Sequence, residues 1–206
     1  MVAAAIIAGG QGRRLGGVAK PFLEIGGQRI IDRQLAVLRP LFDAIVIVAP
    51  DRQPFADSGI DVEVVPDRQG PGLGPLAGLD AALAWLPSHF QSVVCVAGDM
   101  PFLAPKVLEQ LRDTKPSDAA AVVPRLGRAP ELRPQPLCAR YHRRIASLTT
   151  KELHAGTRAL HVFLEQIARA SISPPTVWID EPELRQLDPT LATFTNINER
   201  SDLLLY

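Results

Sequence analysis

At 206 residues with 47% hydrophobic composition, the chain is long enough to bury a full core, and it fits one domain, residues 1–206, better than two. Its 22 basic and 22 acidic residues cancel, which excludes the global field that recruits nucleic acid or an anionic membrane and leaves anion binding to local clusters. No apolar run approaches the length of a membrane span, and the N-terminus opens into a strand pattern without a basic lead, so a cytoplasmic address is expected.

The predicted elements alternate along the chain. Strands are expected over residues 3–8, 44–49, 62–65, 93–97, 119–123, 137–140 and 177–179, each a short run rich in small and β-branched residues. Between them lie stripes at helical spacing: Ile31, Leu35 and Leu38; Leu76, Leu79, Leu83 and Leu86; Val107, Leu108 and Leu111; Leu160, Phe163, Leu164 and Ile167. Pro75 and Pro105 stand where helices would begin, and Pro40 and Pro87 follow stripes as stops. Strand and helix in alternation predict an α/β fold, a three-layer Rossmann-like arrangement with a mainly parallel twisted sheet. In such a sheet the ligand lies at the carboxyl ends of the strands.

Three loops after predicted strands carry chemistry. The first, Ala8-Gly9-Gly10-Gln11-Gly12-Arg13-Arg14-Leu15-Gly16-Gly17 followed by Lys20, joins glycines to three cations. Glycines let consecutive backbone N–H groups approach a phosphate, and the cations neutralise it. It matches neither a Walker loop, since no lysine and hydroxyl pair follows Gly16, nor the dinucleotide fingerprint, since Leu15 stands at the sixth position from Gly10. A third kind of nucleotide loop is one reading, and a solvated connection after an edge strand is the other.

The second loop runs from Pro66 to Gly78 through Asp67 and Gly74-Pro75. A proline at the first helical position and a glycine one turn later would admit a flat ring or a phosphate close to the helix start. Equally, Gly78 would serve tight helix–strand packing. The third loop is Gly98-Asp99-Met100-Pro101. An aspartate past a buried strand suits a hard cation, and nucleoside triphosphates are handled with Mg²⁺ held by one or two carboxylates plus the phosphates. A turn-forming Asp bonded to its own backbone is the alternative.

Elsewhere the sequence is quieter. Cys95 and Cys138 lack metal or redox spacing and are expected to be reduced thiols, at least partly buried. His89, His142, His154 and His161 show no ligand spacing and are expected to be solvated or packed. Residues 124–136 hold Arg125, Arg128 and Arg133 and are too proline-rich for regular structure, so they form either a flap for an anionic acceptor or an ordinary surface excursion. Ser173-Pro174-Pro175 is expected to be a rigid connector. No stripe demands a partner helix, so a monomer or weak oligomer is expected.

The order AGGxGxRxGG, then Lys20, then Gly74-Pro75-Leu76-Ala77-Gly78, then Gly98-Asp99-Met100-Pro101-Phe102-Leu103, then Phe194-Thr195-Asn196-Ile197-Asn198, resembles the molybdenum cofactor guanylyltransferase family. The resemblance runs from Ile6 to about Leu203. It implies a nucleotidyltransferase sheet and transfer of GMP from GTP to Mo-molybdopterin, releasing pyrophosphate, with molybdoenzyme maturation proteins as candidate partners. It also implies backbone contacts to the nucleotide at Ile7, Ala8 and Gly9, with Gly10 and Gly12 shaping the turn. Arg14 and Lys20 would face the triphosphate, and Asp99 would hold Mg²⁺. Asp67, with Gly74 and Gly78 after it, would lie near the base, where a carboxylate can accept from guanine N1–H and its exocyclic amine. Asn196 and Asn198 would face the acceptor if a short strand carries both, or would satisfy terminal backbone groups of the sheet.

The chain departs from the family pattern at three places. Ala19 stands where many relatives carry an acid before the loop lysine, Asp51 where many carry an asparagine near the base, and Arg158 matches a basic acceptor position only in one register. Transfer of CMP or another nucleotide is the nearest alternative activity. Cytosine-specific relatives usually carry alanine at the position of Gly9, which favours guanine here. A non-catalytic protein that delivers the cofactor is the other alternative, and Lys20 with Asp99 argues for turnover.

Overall fold

The computed structural model describes residues 1–9, 19–67, 73–197 and Asp202. Gly10, Gly12, Arg14 and Asn198 therefore lie outside the described residues. In chain order the strands are β1 (Val2–Ile7), β2 (Glu24–Ile25), β3 (Gln28–Arg29), β4 (Ile45–Val48), β5 (Glu63–Val65), β6 (Ser92–Ala97), β7 (Ala121–Leu126), β8 (Arg133–Pro134), β9 (Cys138–His142) and β10 (Val177–Asp180). The helices are α1 (Ile30–Leu38), α2 (Gln53–Asp57), α3 (Pro75–Trp85), α4 (Pro105–Asp113), α5 (Ala146–His154), α6 (Leu160–Arg169) and α7 (Glu181–Leu187). No helix among the described residues is long and apolar enough to cross a membrane.

The main sheet has the order β10-β7-β9-β6-β1-β4-β5, with β8 paired to β7. Neighbours run parallel except where β9 lies antiparallel to β6 and β7, and where β8 meets β7. β1 sits between β4 and β6, in the interior of the sheet. Its small and β-branched residues suit that place because both faces are covered. Ala3, Ala5 and Ile7 face the layer of α3, α5 and α6, while Ala4 and Ile6 face α1, α4 and α7. That alternation makes the three layers, and it follows from the two-residue period of a strand.

Three helices escaped the sequence reading for local reasons. In α5 a buried position is filled by Thr149 rather than an aliphatic side chain, α2 fully buries only Phe55, and α7 only Leu184. The two-residue strands β2 and β3 turn through Gly26 (φ 57°) and Gly27 (φ 75°), a diglycine hairpin signal in a stretch too short to show alternation. Two histidine and cysteine expectations hold: Cys95 and Cys138 are free and fully buried, and buried His142 packs with its Nδ1 accepting from the Arg144 N–H at 3.1 Å.

Residues 124–136 correct the expectation that prolines forbid regular structure there. β7 continues through Pro124 and Arg125 to Leu126, and Arg125 pairs with Pro134 of β8. Pro124 is tolerated because it stands where the ladder passes from β9, last paired at Val122, to β8, and Pro134 because β8 is a short edge strand. Arg125 forms an ion pair with Asp180 and lies 5.2 Å over the Trp178 ring. Gly127 N–H donates to Glu181 at 2.7 Å, so the hairpin is tied to β10 and α7 on both sides.

Candidate active site

β1, β4, β5 and β6 end on one edge of the sheet, and the predicted site residues gather there. β1 delivers Ile7, Ala8 and Gly9, and the chain returns at Ala19 into a single turn, Lys20–Phe22, that carries the loop lysine. Lys20 Nζ lies 2.6 Å from Asp99 Oδ2, with the two side chains 30% and 15% exposed. Residues 79 positions apart in the chain thus meet at the carboxyl ends of adjacent strands.

Gly98 makes this approach possible. A Cβ there would sit 3.1 Å from Ala8 Cα and 3.3 Å from Pro21 Cγ, closer than most side chains come. Gly98 N–H also donates to Ile7 O at 2.9 Å, and Ala8 N–H to Val48 O at 2.8 Å. Those two groups of Ile7 and Ala8 are engaged where the sheet ends.

Asp67 lies against Gly9: a Cβ on Gly9 would be 3.6 Å from Asp67 Oδ2. Burial pushes the Asp67 carboxyl above its ordinary range. Its Oδ1 and the Oδ1 of Asp99 are buried without a hydrogen-bond partner among the described residues. Two carboxylates beside the β1 end thus each keep an acceptor oxygen unsatisfied, which a ligand's donors or a cation can meet. Among the described residues no three or more His, Cys, Asp or Glu cluster as metal ligands.

Other expected residues have different work. A Cβ on Gly78 would fall 2.6 Å from Ile7 Cγ2, so this glycine lets α3 press onto β1, the packing role weighed for it beside a nucleotide contact. Gly74 holds φ 81° as it opens α3, and its Cβ position is 3.0 Å from Arg158 O. That same carbonyl accepts from Leu76 N–H at 3.1 Å. The Arg158 guanidinium donates to Leu153 O at 2.8 Å and Thr157 O at 3.0 Å, fastening the end of α5. Asp51 is exposed, and its Oδ1 accepts from Gln53 N–H at 2.9 Å at the opening of α2.

Asn196 is exposed and follows a single turn at Ala192–Phe194. Its segment forms no sheet strand, contrary to the expected alternation. It is fixed instead by Ile197 N–H donating to Asp99 O at 2.9 Å, and by Ile197 packing with Leu23, Ile25, Ile30 and Phe102. That bond sets the backbone after Asn196 beside the Asp99 turn. The sequence reading passed over Gln34, whose Nε2 reaches the carbonyls on either side of Gly98-Asp99. The signal was an amide inside the Ile31–Leu38 stripe, where an aliphatic residue would satisfy the core.

Comparison with known proteins agrees with this geometry. Residues 4–170 match the family model for the MobA-like NTP transferase domain. A probable molybdenum cofactor guanylyltransferase from Methanosarcina mazei is 30% identical over 207 residues, spanning 97% of this chain and 87% of that protein. One from Methanosarcina acetivorans is 33% identical over the same shares of the two chains. Among solved structures, molybdopterin-guanine dinucleotide biosynthesis protein A from Archaeoglobus fulgidus superposes with a TM-score of 0.79 at 31% identity, covering 100% of this chain and 96% of that one. The 4-diphosphocytidyl-2C-methyl-D-erythritol synthase of Anaerococcus prevotii, at 14% identity, shares the fold with a TM-score of 0.72 over 99% of this chain and 93% of its own.

Proposed function

The chain belongs to the MobA-like NTP transferases, in the molybdenum cofactor guanylyltransferase family, and from that premise we propose that it transfers GMP from GTP to Mo-molybdopterin. The observation that carries the site assignment is the contact of Lys20 with Asp99 at 2.6 Å on the carboxyl edge of the sheet. It supports a single cleft in which a cation-bearing loop and a metal-competent carboxylate serve one triphosphate.

In the proposed reaction an oxygen of the molybdopterin phosphate attacks the α-phosphorus of GTP. The new P–O bond forms as the bond from the α-phosphorus to the bridging oxygen breaks, and pyrophosphate leaves with that electron pair. Both reactants are anions, so no protein group need remove a proton, and catalysis rests on position and charge. Lys20 holds a cation where the departing pyrophosphate gathers charge, joined by Arg14 from the glycine loop. Asp67 accepts from the guanine edge through its unsatisfied oxygen, and Asn196, with Asn198, meets the acceptor. The free Oδ1 of Asp99 fits Mg²⁺, and the bound ion would neutralise the α-phosphate and the leaving group.

Purified protein incubated with Mg²⁺, molybdopterin and either GTP or CTP tests the reading by pyrophosphate release. GTP should support turnover and CTP little. Preference for CTP would mark a cytidylyltransferase, and binding without release a delivery protein; either result overturns the proposal. Asp99→Ala should lower kcat by about 10²–10³-fold with the fold retained, the usual cost of one well-placed electrostatic contact.

A further inference from the structure

Gln34 lies on the face of α1 that meets the sheet, between Ile31 and Leu35, and is fully buried. Its Nε2 donates to Ala97 O at 2.7 Å and to Met100 O at 3.0 Å. These are the first and last carbonyls of the turn Ala97-Gly98-Asp99-Met100, which Met100 N–H closes onto Ala97 O at 3.2 Å. Asp99 is its third residue. Two acceptors around one terminal atom assign that atom as the nitrogen, because the reversed amide would set Oε1 against two carbonyl oxygens.

Two further backbone groups of the turn are held from elsewhere. Gly98 N–H bonds to Ile7 O, and Asp99 O accepts from Ile197 N–H, each at 2.9 Å. The turn is therefore gripped by β1, by α1 and by the segment bearing Asn196, and only two side-chain torsions separate its backbone from the Asp99 carboxylate. Gln34 is also a costly choice for core filling. Its Oε1 is buried without a partner among the described residues, whereas a leucine or methionine would fill the same stripe with no polar group to satisfy.

We propose that Gln34 is a positioning residue that fixes the direction of the Asp99 carboxylate through both ends of this turn. The inference rests on the guanylyltransferase reading for its kinetic consequence. Gln34→Met keeps the volume and removes the donor; Gln34→Asn keeps the amide but withdraws it by one methylene. In either variant kcat should fall by about 10- to 100-fold, the scale set by ångström misplacement of a reacting group. KM for GTP should change less than about threefold, since the base and β1 contacts remain. In an Asp99→Asn background the same Gln34 substitution should cost less than about threefold in kcat, because the group it orients has been altered. Equal losses in both backgrounds, or wild-type kcat in a folded variant, would overturn the proposal.

Should both variants fail to fold, the wild-type protein supplies the measurement. The Gln34 side-chain amide resonance should shift when Mg²⁺ and GTP are added together, and an unmoved resonance counts against the clamp. This readout needs no turnover. Wild-type protein that binds GTP and Mg²⁺ but releases no pyrophosphate sinks the guanylyltransferase reading while leaving the Gln34 test intact.

Discussion

Asp67, beside Gly9, joins its proposed role at the base to a cost in stability. A half-buried carboxyl with an oxygen lacking a partner among the described residues is held above its ordinary pKa by burial, so its ionised form costs folding free energy at neutral pH. The sign follows from linkage: the folded state binds its proton more tightly than the unfolded one, so the penalty is present above the raised folded pKa and is relieved as pH falls through it toward 3.8. Asp67→Asn removes that charge and should raise the unfolding temperature by about 1–3 °C, because solvent screening keeps the cost below about 1 kcal/mol. The same change puts an NH₂ where guanine offers donors, so KM for GTP should rise about 10- to 100-fold. A more stable variant with unchanged KM would remove Asp67 from the base site. Gly9 is tested beside it: a methyl there makes ordinary contact with Asp67 Oδ2 at 3.6 Å, so Gly9→Ala should fold. It should lower the GTP-to-CTP ratio of kcat/KM about tenfold, the usual scale of one methyl group in a pocket.

At the scale of elements, the contact between α3 and β1 decides how near the second loop comes to the site. Gly78→Ala would improve helix propensity by about 0.5–1 kcal/mol, yet its methyl would sit 2.6 Å from Ile7 Cγ2. Ile7 is β-branched on an interior strand and has little rotamer freedom to yield. Overpacking of this kind costs about 1–3 kcal/mol, so the clash wins and the unfolding temperature should fall by about 2–8 °C in a thermal melt. Ile7→Ala opens a cavity at the same spot, and the double variant should lose less than the sum of the single losses. Strands such as β1 and β6 were legible because interior parallel strands read as unbroken apolar runs. α5 and α7 were not, because threonine and charged residues occupy the turns that a stripe would need. Spacing alone could not tell which way Arg158 points. Its backbone carbonyl serves α3 while its guanidinium serves α5, and only packing separates the two.

Across the whole molecule the two edges of the sheet are built differently. The carboxyl edge brings Lys20 and Asp99 together, as the position of both loops after predicted strands led one to expect; Gln34 was hidden because its contacts cross 63 and 66 residues of sequence. At the opposite edge, where β9 ends beside the start of β6, arginines fasten the loops. Arg140 donates to Arg112 O at 2.8 Å and Pro116 O at 3.0 Å, Arg143 to Ser88 O at 2.7 Å and Leu86 O at 3.0 Å, and Arg144 to Ser173 O and to Asp118 at 2.8 Å. His142 sits among these cations. Burial first, then the charges of Arg144, Arg140 and Arg143, depress its pKa below 6.5, with Asp118 opposing. The unfolded state therefore takes up the proton first, and stability present above pH 6.5 is lost as pH falls through the folded pKa. Asp188 is also held low: burial works to raise it, and hydrogen bonds from Thr193, Thr190 and Ala192 outweigh that, so its stabilising share is lost only below 3.8. Between pH 7 and pH 5 His142 thus drives the loss, and Asp67 works against it only once pH falls to its raised pKa. The unfolding temperature should drop over that interval, and His142→Asn, which keeps an acceptor for Arg144 N–H but cannot take a charge, should flatten the curve. Parallel curves for wild type and variant would locate the acid sensitivity elsewhere. A flattened curve with unchanged GMP transfer at pH 7 would separate the edge that holds the molecule together from the edge that does the chemistry.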